Sequence, residues 1–286
     1  MGSRKSKEGS KEGSKGRKGP SPWTPFARQT LGIGVTLGVL TLAMSEVRSE
    51  VISRPEYLLR PQSMVLGELP YWMRSSESVP FDCSRWMEGR TLLDEDLDDV
   101  VRSGLLSVPW VESVGAIERR FPNMLSVRLT PRKPVAQVRE GFKRTFVDAG
   151  GVCLPESAYK SDLELPFIEG LGDEAPAAGK SWNHPVLLRA IDLLRMWHER
   201  NIAESNPIAQ VVRVECATPS EILRGKPDFI LHVRRRVQIY VNSGVRDGEV
   251  PLAGALSNLE KILLHDPQLD HVRSYVDLRW RTPRLQ

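Results

Sequence analysis

Apolar and polar positions divide this chain into stretches of different character. Met1–Pro25 is Gly, Ser and Lys with almost nothing to bury, which predicts a disordered tail. Gln29–Ser45 then runs without a single charge. A spanning helix wants about 20 apolar residues and tolerates roughly 17, so the segment reads as a membrane helix. Two other readings stand beside it: a cleavable signal whose small-residue site is Ala43-Met44-Ser45, and a buried core helix. Trp23 and Phe26 precede the segment, at the place of interfacial aromatics.

Ser49–Pro80 is rich in Pro and Ser, with one strand expected at Met64–Leu69. Asp94–Leu106 predicts a helix: acidic residues favour its N-terminal end, and Leu97, Val100, Val101 and Leu105 recur on one face. Val111–Glu118 and Leu125–Leu129 alternate and predict a hairpin turning near Pro122-Asn123. Short strands follow at Val135–Arg139, Arg144–Val147 and Val152–Leu154. Pro185–Glu199 and Leu252–Leu264 carry apolar residues at helical spacing. Further strands are expected at Ile208–Glu215, Phe229–Val233, Gln238–Val241 and Val272–Leu278. This order predicts an α+β fold, with a small unit followed by a mainly antiparallel sheet under two covering helices.

Charge sharpens the picture. The 286 residues carry a formal charge of only +4, and the excess lies in the tail at Arg4, Lys5, Lys7, Lys11, Lys15, Arg17, Lys18 and Arg28. Without the tail the chain is close to neutral, which argues against a globally basic nucleic-acid binder. Basic residues ahead of the apolar segment bias that end to the cytoplasm, leaving the remainder outside it. The same tail also suits weak contact with anionic membrane lipid.

The candidate chemistry is sparse. Cys83, Cys153 and Cys216 are odd in number and widely spaced, without a Cys-x-x-Cys pair, so zinc and a disulfide framework lack support. Free, half-buried thiols are expected, with one bridge, of undetermined pairing, as the alternative. His184, His198, His232, His265 and His271 are scattered outside any ligand spacing. Asp94, Glu95, Asp96, Asp98 and Asp99 lack the alternation and Gly of a calcium loop, so they read as a solvated helix face. Arg234-Arg235-Arg236 reads as a charged turn between two strands. No cofactor, metal site, nucleic-acid partner or small-molecule substrate is expected, and no catalytic constellation assembles.

Three sets of residues together resemble the FtsQ/DivIB family of bacterial division proteins. The first is Val108-Pro109-Trp110-Val111, then Arg119-Arg120-Phe121-Pro122-Asn123-Met124-Leu125, then Lys133-Pro134-Val135-Ala136. The second is Phe146-Val147-Asp148-Ala149-Gly150-Gly151, with Leu165-Pro166-Phe167-Ile168-Glu169-Gly170 after it. The third is Ser274-Tyr275-Val276-Asp277-Leu278-Arg279-Trp280. The resemblance implies a cytoplasmic tail over 1–28, a transmembrane helix over 29–45 and a linker over 46–63. It further implies a POTRA-like domain over 64–132 and a β-domain over 133–286. It implies a non-catalytic scaffold at the inner membrane that holds FtsB-like and FtsL-like single-pass proteins. Tyr275, Arg279 and Trp280 are the candidate partner-binding residues, on the expectation that an extended partner completes the last strand. A POTRA-bearing component of export or outer-membrane assembly is the alternative.

Overall fold

The computed structural model describes residues 36–48, 50, 54–75, 82–140, 143–244 and 248–286. The basic tail and the start of the uncharged segment, residues 1–35, lie outside them. The chain forms two compact units, Met1–Pro55 and Glu56–Gln286. In the first, residues 36–48 are helical (α1). Leu37, Val39, Leu40, Leu42, Met44 and Val47 are each between 59% and 70% exposed. No helix among the described residues is long and apolar enough to cross a membrane.

The second unit holds two sheets. The small one has the order β1 (Met64–Leu66), β3 (Met124–Pro131), β2 (Val111–Arg120). β1 lies parallel to β3 and β2 antiparallel to it. Helices α2 (Ser84–Met87) and α3 (Leu97–Leu106) come between β1 and β2 in the chain. Leu97, Val101 and Leu105 bury one face of α3, the spacing the sequence predicts. The helix begins three residues later than expected because Asp94 is used elsewhere: its carboxylate accepts from the Thr91 backbone N–H (3.2 Å) and hydroxyl (2.7 Å). Residues 56–63, which the sequence assigns to a linker, carry two short 3-10 turns and bury Leu59 and Ser63.

Among the described residues the large sheet has nine strands: β4 (Pro134–Glu140), β5 (Lys143–Asp148), β6 (Cys153–Leu154), β7 (Phe167–Glu169), β8 (Val211–Cys216), β9 (Phe229–Val233), β10 (Gln238–Val241), β11 (Tyr275–Asp277) and β12 (Arg284–Leu285). Their spatial order is β12-β11-β10-β9-β8-β7-β4-β5-β6. Five of the eight neighbouring pairs are antiparallel; β4–β7, β7–β8 and β10–β11 are parallel. Helices α4 (Pro185–Glu199) and α7 (Leu252–His265) pack on it, while α5 (Ile202–Ser205) and α6 (Pro219–Leu223) are short. Leu187, Ile191, Leu193 and Trp197 of α4 share one core with Leu256 and Leu259 of α7 and with Val138, Val214, Leu231 and Ile239 of the sheet.

A second core belongs to the small sheet, and the β5–β6 hairpin serves both. Val147 and Cys153 face the first core, whereas Phe146 and Leu154 face the second with Trp110, Leu125 and Tyr159. Strand alternation produces this division. Tyr159 then ties the sheets together: its hydroxyl donates to the Arg132 carbonyl (2.9 Å) and its ring stacks on Trp72 at 5.9 Å.

Candidate partner-binding site at the end of the large sheet

The large sheet has two edges, and they differ. At the β6 edge the backbone is occupied by the following loop: Cys153 N–H donates to the Lys180 carbonyl (3.0 Å), and Gly179 N–H donates to the Cys153 carbonyl (2.7 Å). The other edge is β12, two residues long, with no further strand beyond it among the described residues. The sequence predicts a closing strand at Val272–Leu278; the ordered pairing is narrower, at Tyr275–Asp277, and β12 covers its outer side. Val276 stands opposite Leu285 and Asp277 opposite Arg284. The backbone N–H groups of Arg273, Ser274 and Tyr275 converge on the Gln286 carbonyl at 2.9, 2.6 and 3.2 Å.

The three expected residues come together here in different roles. Tyr275 is half-buried and stacks on Tyr240 of the neighbouring strand, with centroids 4.7 Å apart and planes 9° apart. Trp280 is half-buried; Arg284 lies over its ring at 5.0 Å, and its indole N–H donates to Asp277 Oδ2 at 3.3 Å. Arg279 faces inward, its side chain only 13% exposed. Its Nε and Nη2 donate to the two oxygens of Asp277 at 2.9 and 2.8 Å, and its Nη1 donates to the Gly225 carbonyl at 3.0 Å. Those bonds engage three of its five N–H donors, so Arg279 sets the path of the chain and holds Trp280 in place.

Asp277 is the hub of this cluster. Burial pushes its carboxyl up, but the hydrogen bonds from Arg279 and Trp280 outweigh it and hold the group below the usual carboxylate range. The same pairing raises Arg279. Burial, then the neighbouring Tyr275, raises Tyr240. Tyr240 and Arg284 were not singled out from the sequence. The alternation Gln238, Tyr240 gives a signal for the first, since it predicts one shared face; the parallel pairing that brings it beside Tyr275 is a tertiary fact.

Most of the remaining candidate groups have local partners. His184 caps α4, its Nδ1 accepting from the Leu187 N–H at 3.3 Å. His232 lies between Arg213 and Glu215, and His271 pairs with Asp266. Asp96 pairs with Arg90 and Asp98 with Arg119. Arg234 pairs with Glu164 and Arg235 with Asp270, while Arg236 takes φ 64° in the turn between β9 and β10. Cys83, Cys153 and Cys216 form no disulfide and are buried, deeper than the half-buried thiols expected. His198, exposed, borders an apolar groove of about 300 Å³ whose lining holds no Ser, Thr, Cys, Asp or Glu.

No family model matches the chain. Individual relatives do. The cell division protein FtsQ of Anaeromyxobacter sp. (strain K) is 31% identical over 138 residues, which are 48% of this chain and 46% of that protein. FtsQ of Myxococcus fulvus is 25% identical over 228 residues, 78% of each chain. FtsQ of Koribacter versatilis is 30% identical over 118 residues, 38% of this chain. The chain is similar to FtsQ cell-division proteins, at modest identity. The first of these matches spans less than half the length of its FtsQ relative, and the second spans most of it. The motifs behind the resemblance also have physical roles in this FtsQ relative. Asp148 of the second motif accepts from the Gly150 and Val152 N–H groups at 2.9 and 2.8 Å and pairs with Arg132 at 2.9 Å. Asp277 of the third plays the part just described.

Proposed function

We propose that this chain acts in bacterial cell division as a non-catalytic scaffold, anchored by one helix over 29–45 with its C-terminal unit outside the cytoplasm. The FtsQ names of its relatives support the division role. The chain order β1-α2-α3-β2-β3, with β1 parallel beside β3, supports reading residues 64–132 as a POTRA-like domain. The nine-stranded sheet is then the β-domain over 133–286.

The observation that carries the binding reading is the asymmetry of the large sheet's edges. One is filled by a loop, and the other ends in the two-residue β12, next to the Tyr275 strand with its Tyr240 stack and in contact with Trp280 through Arg284. The outer side of an edge strand leaves backbone donors and acceptors for an extended partner, and nearby aromatics supply anchoring area. The partners proposed are FtsB-like and FtsL-like single-pass membrane proteins. Tyr275 and Trp280 make the contact, and Arg279 positions them through Asp277.

The test is capture of those partners by the full chain from solubilised membranes of dividing cells. Tyr275→Ala and Trp280→Ala are each expected to cost about 2 kcal/mol of binding, roughly a thirtyfold loss of affinity. Circular dichroism should report a folded protein in both cases. Undiminished capture by both variants would remove the terminal strand from the mechanism.

A further inference from the structure

Strand β12 pairs with β11 on one side, and its hydrogen bonds decide which of its backbone groups are already used. Tyr275 and Gln286 exchange both bonds: the Tyr275 N–H donates to the Gln286 carbonyl at 3.2 Å, and the Gln286 N–H donates to the Tyr275 carbonyl at 3.1 Å. Between antiparallel strands such mutual bonds recur at every second position. Val276 opposite Leu285 is therefore a pair without bonds between its members, and Asp277 opposite Arg284 is again a bonded one. The N–H and C=O of Leu285 consequently point away from β11. Neither meets another group among the described residues. The same alternation turns residue 283 outward, where Pro283 has no N–H to give. The open side of β12 thus offers a donor and an acceptor together at Leu285 alone.

Side chains divide by the same parity, because residues directly opposite in a pair share a face. Val276 is fully buried in the main core, so Leu285 lies on the core-facing side of the sheet, where it is still 49% exposed. Arg284 shares the other side with Asp277 and lies over the Trp280 ring. A strand added at β12 brings the residue opposite Leu285 onto the core-facing side, beside Leu285. A slip of one position would turn that residue to the arginine side and set its neighbour against Leu285 instead.

We infer that Leu285 is the specificity-determining residue of this edge, selecting an extended peptide segment with an apolar side chain at the one position that exchanges hydrogen bonds with it. The inference rests on the partner-binding reading of the edge and deepens it. Backbone bonds are alike for every sequence, and here they amount to a single two-way pair, so discrimination falls to the side chain facing Leu285. An apolar residue there covers the exposed part of Leu285 and gains by leaving water. A charged residue is desolvated against Leu285 without a partner, and that segment is rejected. Register follows from the same contact, since only one alignment of the segment puts its apolar residue at that position.

Capture of the FtsB-like partner by the full chain in detergent tests this. Leu285→Asn should lower affinity roughly tenfold, whereas Leu285→Met, of similar volume, should match the parent chain. Residue-resolved amide exchange separates selection from folding. The Gln286 N–H should stay protected in both variants, which shows β12 in place; its loss in Leu285→Asn would make Leu285 a structural residue and overturn the inference. In the parent chain the Leu285 N–H should exchange freely alone and slowly once the partner is bound. Equal capture by Leu285→Asn, or a Leu285 N–H left unprotected by the partner, also overturns it. Tyr275→Ala and Trp280→Ala distinguish this failure from that of the underlying reading. Capture undiminished in both removes the site altogether, while capture lost in both and unchanged in Leu285→Asn removes Leu285 alone. Oxidation of Leu285→Cys without partner tests a second copy as occupant, the native thiols being at most 3% exposed. A monomer is expected; a disulfide-linked dimer would assign the edge to another copy of this chain and refute the selection of a partner segment.

Discussion

Two aspartates show what single residues do here. Asp148 and Asp277 are 7% and 4% exposed, and each accepts from backbone N–H groups and a neighbouring arginine. Removing one member of a buried pair leaves the other charge uncompensated, at about 3–5 kcal/mol. Asp277→Asn is therefore expected to lower the urea-unfolding midpoint substantially and to weaken partner capture through the displaced Trp280. The sign of the pH dependence follows from the direction of the shift. A carboxyl held below its unfolded value stabilises the fold above that value, and the contribution is lost as pH falls through the folded value. Asp277 is lowered from 3.8, and Asp266, bonded by the His271 and Asp270 N–H groups, is lowered to about 2. The unfolding midpoint should hold steady through neutral pH and drop as acid passes 3.8 toward 2. Asp277→Asn should flatten that drop. At the other extreme, burial pushes the Cys216 thiol up to about 12. A maleimide should thus leave the native chain unmodified at pH 8 and modify three thiols in denaturant, as mass spectrometry would read.

At the scale of elements, regular segments were legible and irregular ones were not. Helix α4 coincides with its predicted span because Pro185 opens it and its apolar stripe is unbroken. Strands β9 and β10 also coincide, their boundary marked by the three arginines. Strand β7 escaped notice: three residues in a parallel setting, buried on one face, carry too little periodicity to read. So did β12, whose Arg284 and Leu285 show no alternation and depend on β11 for their pairing. The glycine closing the Leu165–Gly170 motif acquires its reason only in three dimensions. Gly170 has φ +89°, and a Cβ there would lie 2.3 Å from the Cys216 carbonyl oxygen. Gly170→Ala combines backbone strain with a clash against another strand, so a loss of about 2 kcal/mol or more is expected in thermal or urea unfolding. Gly172→Ala is the informative control, since it shares a positive φ of 82° but has open space around its Cβ. It should cost distinctly less.

For the molecule as a whole, the order of elements was legible and their spatial adjacency was not. β5 and β6 were read as short strands from the sequence, yet only the packing reveals that Phe146 and Leu154 complete one core while Val147 and Cys153 complete the other. The candidate site shows the same limit. Tyr275 and Trp280 were named from the motif, but the inward pose of Arg279 depends on Asp277 and on a carbonyl 54 residues away at Gly225. A fluorescent fusion of the full chain is expected to gather at the division plane; even distribution around the envelope would contradict the scaffold reading. Because the β6 side of the large sheet is already satisfied by residues 179–182, growth by strand addition has a single direction. Valency at that sheet is therefore one. Under the proposed strand addition at β12, a copy that has taken up a guest strand has no second berth there, which would set an equimolar ceiling and keep the domain from propagating into fibres along this axis.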